Sequence, residues 1–142
     1  MLFPKKVKFR KWHSGRKNAK KIASSVETRG VTLSYGSFGL KAQSPGRIRS
    51  NQIEAARRAM SRHLGKTGRL WIRIFPDRPI TQKAAEVPMG KGKGDPVAFC
   101  ADIKSGRVLF EVDGIAPEVA RESLRKAGTK LPVKTKIIAR HA

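Results

Sequence analysis

A single α+β domain behind an extended basic arm is the fold class that the sequence predicts, and three observations predict it. Apolar residues recur at helical spacing in only two stretches, several short runs are alternating or β-branched between Gly and Pro breaks, and these runs follow no regular strand-helix-strand order. Such an order indicates a mainly antiparallel or mixed sheet packed with both helices. At 142 residues the chain can build one core but not two ordinary domains.

The arm comes first. Residues 1–30 carry ten Lys or Arg, one Glu and no amphipathic pattern, and so charged a segment buries too little apolar surface to hold itself folded. Leu2, Phe3, Val7, Phe9 and Trp12 share no helical period, and Pro4 interrupts them, so the stretch reads as retained rather than as an organelle presequence. Phe9 and Trp12, interleaved with Lys8, Arg10 and Lys11, suit two roles: stacking on bases while the cations meet phosphates, or pinning the arm to the body.

Residues 31–142 form the domain. Val31 to Ser44 is β-branched and aromatic and suits short strands, with Gly36 and Gly39 placed for a bulge, a tight bend or a close backbone approach. Pro45-Gly46 makes a turn, and Ser50 or Asn51 caps a helix running to about Gly65. Its stripe is Ile53, Ala56, Met60 and Leu64, which leaves Arg57, Arg58 and Arg62 on other faces. Leu70, Ile72 and Ile74 alternate with Trp71, Arg73 and Phe75 in a strand stopped by Pro76 and Pro79, and a short extended piece follows to Val87. Val97–Ile103 and Val108–Ile115 flank Lys104-Ser105-Gly106-Arg107 and read as a β-hairpin. Pro117 opens a second helix, with Val119, Ala120, Ser123, Leu124 and Ala127 as its packing face and Gly128 as its stop. A last strand covers Val133 to Ala139.

Charge narrows the function. The chain has 32 Lys and Arg against 10 Asp and Glu, a net charge of +22 and a pI of about 11.4. Residues 1–94 hold 23 of the basic and 4 of the acidic side chains. A compact body so charged repels itself unless a polyanion neutralises it, and nucleic acid is the commonest that does. Cys100 is the only cysteine, lies in an apolar run and suits a small buried role in a reducing compartment. His13, His63 and His141 have no metal-ligand spacing, and no run approaches the ~20 apolar residues of a membrane helix.

The stretch VPMGKGKGDPV, Val87 to Val97, tests for an enzyme. A nucleotide-hydrolysing loop needs Gly-x-x-x-x-Gly-Lys-Ser/Thr followed by a helix. Here Gly94 is followed by Asp95-Pro96 and a strand-like run, and no hydroxyl follows Lys91 or Lys93. The nearest acidic pair, Glu111 and Asp113, alternates within a strand and is read as solvent-exposed. With no carboxylate cluster and no Ser-His pairing, the loop reads instead as a slim cationic finger whose backbone approaches RNA phosphates closely.

The ordered blocks MLFPKKVKFRKWHSGR, SFGLKA, QIEAARRAM, WIRIFPDRPIT, MGKGKG, VLFEVDG and LPVKTK resemble the bacterial L-sixteen proteins of the large ribosomal subunit, related to the archaeal and eukaryotic L-ten-e proteins. The resemblance implies an α/β-hammerhead-like fold, no enzymatic activity, no cofactor or metal, and a place on 23S rRNA in the cytoplasmic ribosome, with neighbouring ribosomal proteins as partners and no membrane or small-molecule substrate. It also implies that Met89, Gly90, Lys91, Gly92, Lys93 and Gly94 contact A-site tRNA, with P-site tRNA a second candidate, near the peptidyl-transferase centre, and that the protein joins late in assembly. The expected rRNA-binding residues are Lys5, Lys6, Lys8, Arg10, Lys11, Trp12, Arg16, Lys41, Arg57, Arg58, Arg62 and Arg73. Two departures stand out: Pro88 lies where relatives often carry Arg, and residues 17–29 are several residues longer than usual. The start at Met1 favours a bacterial source. A rival reading, a free RNA chaperone or regulator using the same basic surface, predicts a ribosome-free pool that exchanges among RNAs.

Overall fold

The computed structural model describes residues 1–15 and 18–140, and its elements run α1 (Ala19–Ser24), β1 (Phe38–Ala42), β2 (Gly46–Arg49), α2 (Ser50–Leu64), β3 (Arg69–Ile72), β4 (Arg78–Gln82), β5 (Asp95–Ile103), β6 (Val108–Asp113), α3 (Pro117–Gly128) and β7 (Thr135–Ala139). The α+β class holds. The strands form two antiparallel sheets rather than one, ordered β3-β6-β1-β7 and β2-β5-β4.

Helix α2 buries Ile53, Ala56, Met60 and Leu64, the stripe its spacing predicts. Its start differs from the expected cap: Ser50 lies inside the helix and is buried, and Gln52 reaches back so that Oε1 accepts the Arg49 backbone N–H at 2.9 Å. Helix α3 begins at Pro117 and buries Ala120, Ser123, Leu124 and Ala127. Val119 belongs outside that stripe and is 39% exposed, because it sits one residue, about 100° of helix rotation, before Ala120. The two helices pack on each other and on one face of the four-stranded sheet, against Leu40, Phe110 and Val112. Each such fully buried side chain contributes roughly 1.5–3 kcal/mol.

The proposed hairpin does not form. β5 pairs with β2 and β4, whereas β6 pairs with β1 and β3, so the chain changes sheets between Ile103 and Val108. The turn signal is local, but both edges of each strand are already taken: β5 lies between β4, which precedes it in the chain, and the distant β2, and β6 lies between the distant β1 and β3. The connection is held from outside: Gly106 N–H donates to Ala42 O at 2.7 Å, Ala42 N–H to Arg107 O at 2.8 Å, and Glu27 N–H to Ser105 O at 2.8 Å. Gly106 takes φ +99°, open to glycine at little cost. Strand β2 and helix α1 have no counterpart in the sequence reading; α1 gives the arm one short turn of helix, capped by Asn18 Oδ1 accepting from Lys20 and Lys21 N–H. The short-strand reading of Val31 to Ser44 holds only from Phe38: residues 31–36 are irregular and lie across the sheet face turned away from the helices, because the N–H groups of Ser34, Tyr35 and Gly36 go to the Glu111 carboxylate instead of a strand partner.

That face is organised by Glu111, and the reading of it as solvent-exposed is overturned. Glu111 is fully buried. Its Oε2 accepts the N–H groups of Tyr35 and Gly36, each at 2.7 Å, and its Oε1 accepts the Ser34 N–H at 3.1 Å and an Arg73 guanidinium N–H. Burial pushes the carboxyl's pKa up, but the three amides and Arg73 outweigh it and hold the group below its ordinary 4.5. Gly36 permits the approach, since a Cβ there would stand 2.6 Å from the Val112 carbonyl oxygen. Asp113, two residues on, is half-buried and accepts from Ser37 Oγ at 2.5 Å. A charged pair and a loop backbone therefore share one buried carboxylate.

We expect Glu111→Gln to lose about 3 kcal/mol in urea unfolding, the scale for breaking a buried pair. A carboxylate whose folded pKa is depressed stabilises above its unfolded value and loses that contribution as pH falls through the folded one. The gap between native protein and variant should therefore be full at pH 7 and shrink as pH drops below 4.5; a gap that does not narrow in acid would contradict this account.

Candidate nucleic-acid interface

The arm and the glycine-lysine loop, about eighty residues apart in sequence, meet in space. Residues 83–94 project from the β4–β5 connection, closed at the base by the Gln82↔Asp95 pair. There Gly94 is needed for packing, because a Cβ on it would lie 2.7 Å from the Gln82 carbonyl carbon. Beyond the base the loop is open. Gly90 (φ +108°), Lys91 (φ +56°) and Gly92 (φ +95°) turn left-handed in succession, and neither glycine's missing Cβ would meet another atom within 4 Å. Lys91 in that region costs about 1 kcal/mol. Lys83 Nζ donates to Gly90 O and braces the tip; Met89, at 89% exposure, and Lys91 stand in solvent. A strand follows the loop, so no helix N-terminus faces it.

The arm grips this loop by a reciprocal pair of hydrogen bonds. Lys11 Nζ donates to Lys93 O at 3.1 Å, and Lys93 Nζ donates to Trp12 O. Arg10 lies 4.0 Å from the Asp95 carboxylate. Trp12 is held from the body side, with the Arg78 guanidinium 5.6 Å from its ring centroid. Arg78 is itself fixed by Asp102 at 2.8 Å, and Asp102 also holds Arg47 across the β2–β5 pair at 3.1 Å. Asp102, Arg78 and Trp12 thus form a brace from the three-stranded sheet to the arm. Neither Arg78 nor Asp102 stands out in the sequence; the exposed parity of Asp102 in β5 is the only signal.

The two roles for the arm's aromatics are divided among them. Phe3 rests edge-on against Phe99 at 6.3 Å and Leu2 joins the core, so the start of the arm is docked; Trp12 is braced as described. Phe9 is 62% exposed beside Lys8 and remains free to stack. Lys5, Lys6, Lys8 and Arg10 are exposed, Lys11 is half-buried in the grip, and Arg16 lies outside the described residues.

Helix α2 carries a second basic group. Glu54 accepts from Arg57 at 2.9 and 2.5 Å and from Arg58 at 3.1 Å, and Arg62 is exposed one turn further on. The Arg57 hydrogen bond foremost, with help from Arg58 and against a burial cost, holds the Glu54 carboxyl at about 2. It is therefore ionised at neutral pH and offsets part of the helix's positive charge. Lys41 lies half-buried on the outer face of β1, while Arg73 is largely committed to Glu111. The structure thus brings together Lys11, Trp12 and the loop, and leaves the α2 arginines and Arg73 as separate groups.

Comparison with known proteins places these features in a wider set. The family model described as ribosomal protein L16p/L10e matches residues 4–138. The chain is similar to the large ribosomal subunit protein uL16 of Rhodopseudomonas palustris strain BisB18 and of Nitrobacter winogradskyi, 55% identical to each, and to that of Rhodopseudomonas palustris strain BisA53, 56% identical. Each alignment spans 142 residues, the whole of this chain and 99% of the relative.

Two outcomes follow from this geometry. Lys93→Ala should loosen residues 10–12, seen as lower heteronuclear NOE values there, while shifting the unfolding free energy by less than about 0.5 kcal/mol; an arm that stays equally ordered would refute the grip. Glu54→Gln should tighten RNA binding and steepen its salt dependence, because two guanidinium groups lose their neutralising partner. In acid, Glu54's own stabilising contribution is present above 4.5 and lost as pH falls toward about 2.

Proposed function

The chain belongs to the ribosomal protein L16p/L10e family and is a structural, non-catalytic constituent of the large ribosomal subunit; on that premise we propose that it binds 23S rRNA through its arm and basic faces and presents Met89 to Gly94 to A-site tRNA near the peptidyl-transferase centre. P-site tRNA is the second partner of the same tip, and entry late in subunit assembly belongs to the same reading. The gripped loop is the observation that carries it. A tip of small residues with successive left-handed turns suits a narrow gap between RNA strands, and the arm holds its base so that the tip is aimed before RNA arrives.

The division of charge supports this assignment. Carboxylates inside the chain already pair Arg73, Arg57 and Arg78, whereas Lys5, Lys6, Lys8 and Lys91 face solvent with no salt bridge among the described residues. Free ammonium groups act as mobile point charges toward phosphates. Pro88 is exposed at the entry to the tip and brings no cation there.

Sedimentation of a cell lysate should find the protein on large subunits and whole ribosomes; a protein confined to the light fractions would favour the free chaperone instead. Large subunits carrying Lys91→Ala and Lys93→Ala should still assemble but bind A-site tRNA more weakly, with the slope of log K against log salt reduced by about 1 for each lysine that meets a phosphate. Unchanged tRNA binding would remove the tip from the tRNA site.

A further inference from the structure

Neither the arm nor the loop accounts for the outer face of the four-stranded sheet. By the register of its strands, Lys41, Arg69, Trp71, Arg73, Lys136 and Arg140 project to the same side as Glu111, away from the helices. Glu111 and Asp113 are the acidic residues on that side, and both are engaged, Glu111 with Arg73 and the 34–36 backbone, Asp113 with Ser37 Oγ. Arg69, Lys136 and Arg140 are exposed. The other charged side chains that the sheet register puts on this face are cationic, while Asp77 and Asp102 line the adjoining groove, Asp102 being engaged with Arg47 and Arg78.

Aromatic rings lie among these cations. Tyr35 stacks on Trp71, with centroids 6.0 Å apart and planes 18° from parallel, and the Arg73 guanidinium is 5.3 Å from the Tyr35 centroid. Tyr35 is nevertheless 58% exposed, and Phe75, two positions beyond Arg73, is 47% exposed. The rings border an open groove of about 820 Å³ that Arg107 and Asp77 also line. A folding role does not explain this exposure, because the Tyr35 backbone, not its ring, binds Glu111.

We propose that this face is an RNA-contacting surface separate from the arm and loop, with Tyr35, Trp71 and Phe75 forming a stacking site for an unpaired nucleobase and Arg69, Lys136 and Arg140 meeting the adjoining phosphates. Every base offers a π face, and rings on a sheet surface among Arg and Lys suit single-stranded rather than duplex RNA, whose bases are already stacked. The inference rests on the reading of the chain as an rRNA-binding protein and adds to it a site and a class of target, an unstacked nucleotide.

The test uses full-length protein carrying Trp12→Phe, which leaves Trp71 as the sole tryptophan of the chain's two. A mixed-sequence single-stranded RNA nonamer should quench Trp71 emission, and a blunt duplex of the same length should quench it far less. Adding Tyr35→Leu, which keeps the amide on Glu111, should weaken nonamer binding about tenfold, the scale of one lost base-aromatic stack, with the urea midpoint unchanged. If filter retention shows the nonamer bound while Trp71 emission is unaltered, the stacking site is refuted and RNA binding stands. If neither RNA is retained, the underlying reading fails too. In assembled large subunits, a photoreactive phenylalanine analogue at position 75 should crosslink to RNA; a crosslink to a neighbouring protein instead would overturn the proposal.

Discussion

A single buried carboxylate, Glu111, is the constraint on which the rest of the arrangement turns. β6 is an interior strand of its sheet, between β3 and β1, with the helices against Phe110 and Val112, and its other face is covered around Glu111 by residues 31–36. Closing it with residues 31–36 brings irregular backbone over the sheet, and such backbone has N–H groups that need acceptors. Glu111 supplies acceptors for three of them and takes Arg73 as its counter-charge. Removing the carboxylate would leave both the loop amides and the guanidinium without their partner, which is why the cost is larger than that of an ordinary surface pair.

The parts of this fold legible in the sequence are those governed by local periodicity. The α2 stripe and most of the α3 face follow from 3.6-residue spacing, and the β3 run follows from alternation of Leu70 and Ile72 with Trp71. The misread parts depend on partners far along the chain. Ser105-Gly106 has the composition of a hairpin turn, yet its flanking strands belong to different sheets, because β5 is taken by β2 and β4 and β6 by β1 and β3. Glu111 has the spacing of an exposed residue, and nothing nearby reveals that residues 34–36 and Arg73 will enclose it.

The candidate site shows the same division. The loop's composition pointed to a phosphate-facing tip, and the tip is exposed with three successive left-handed residues. Its attachment to the arm was not legible, since it depends on Lys11 and Trp12 meeting Lys93 about eighty residues away, with Arg78 and Asp102 from two further segments holding Trp12 in place. Equally, a list of basic residues cannot separate free from committed cations. Arg73 and Arg57 look like RNA ligands in sequence, but each is paired with a carboxylate inside the chain.

The chemistry of the arm–loop grip has one further consequence. Lys11 and Lys93 donate to peptide carbonyls, which are dipoles without net charge, rather than to carboxylates. The contact therefore fastens two segments without cancelling either ammonium, and both positive charges remain available to a polyanion. It also depends less on ionic strength than a salt bridge does, because mobile ions screen net charges over a distance and have little purchase on a short hydrogen bond. Rigidity and cationic character, which compete wherever an acidic residue does the fastening, are obtained together at this point of the molecule.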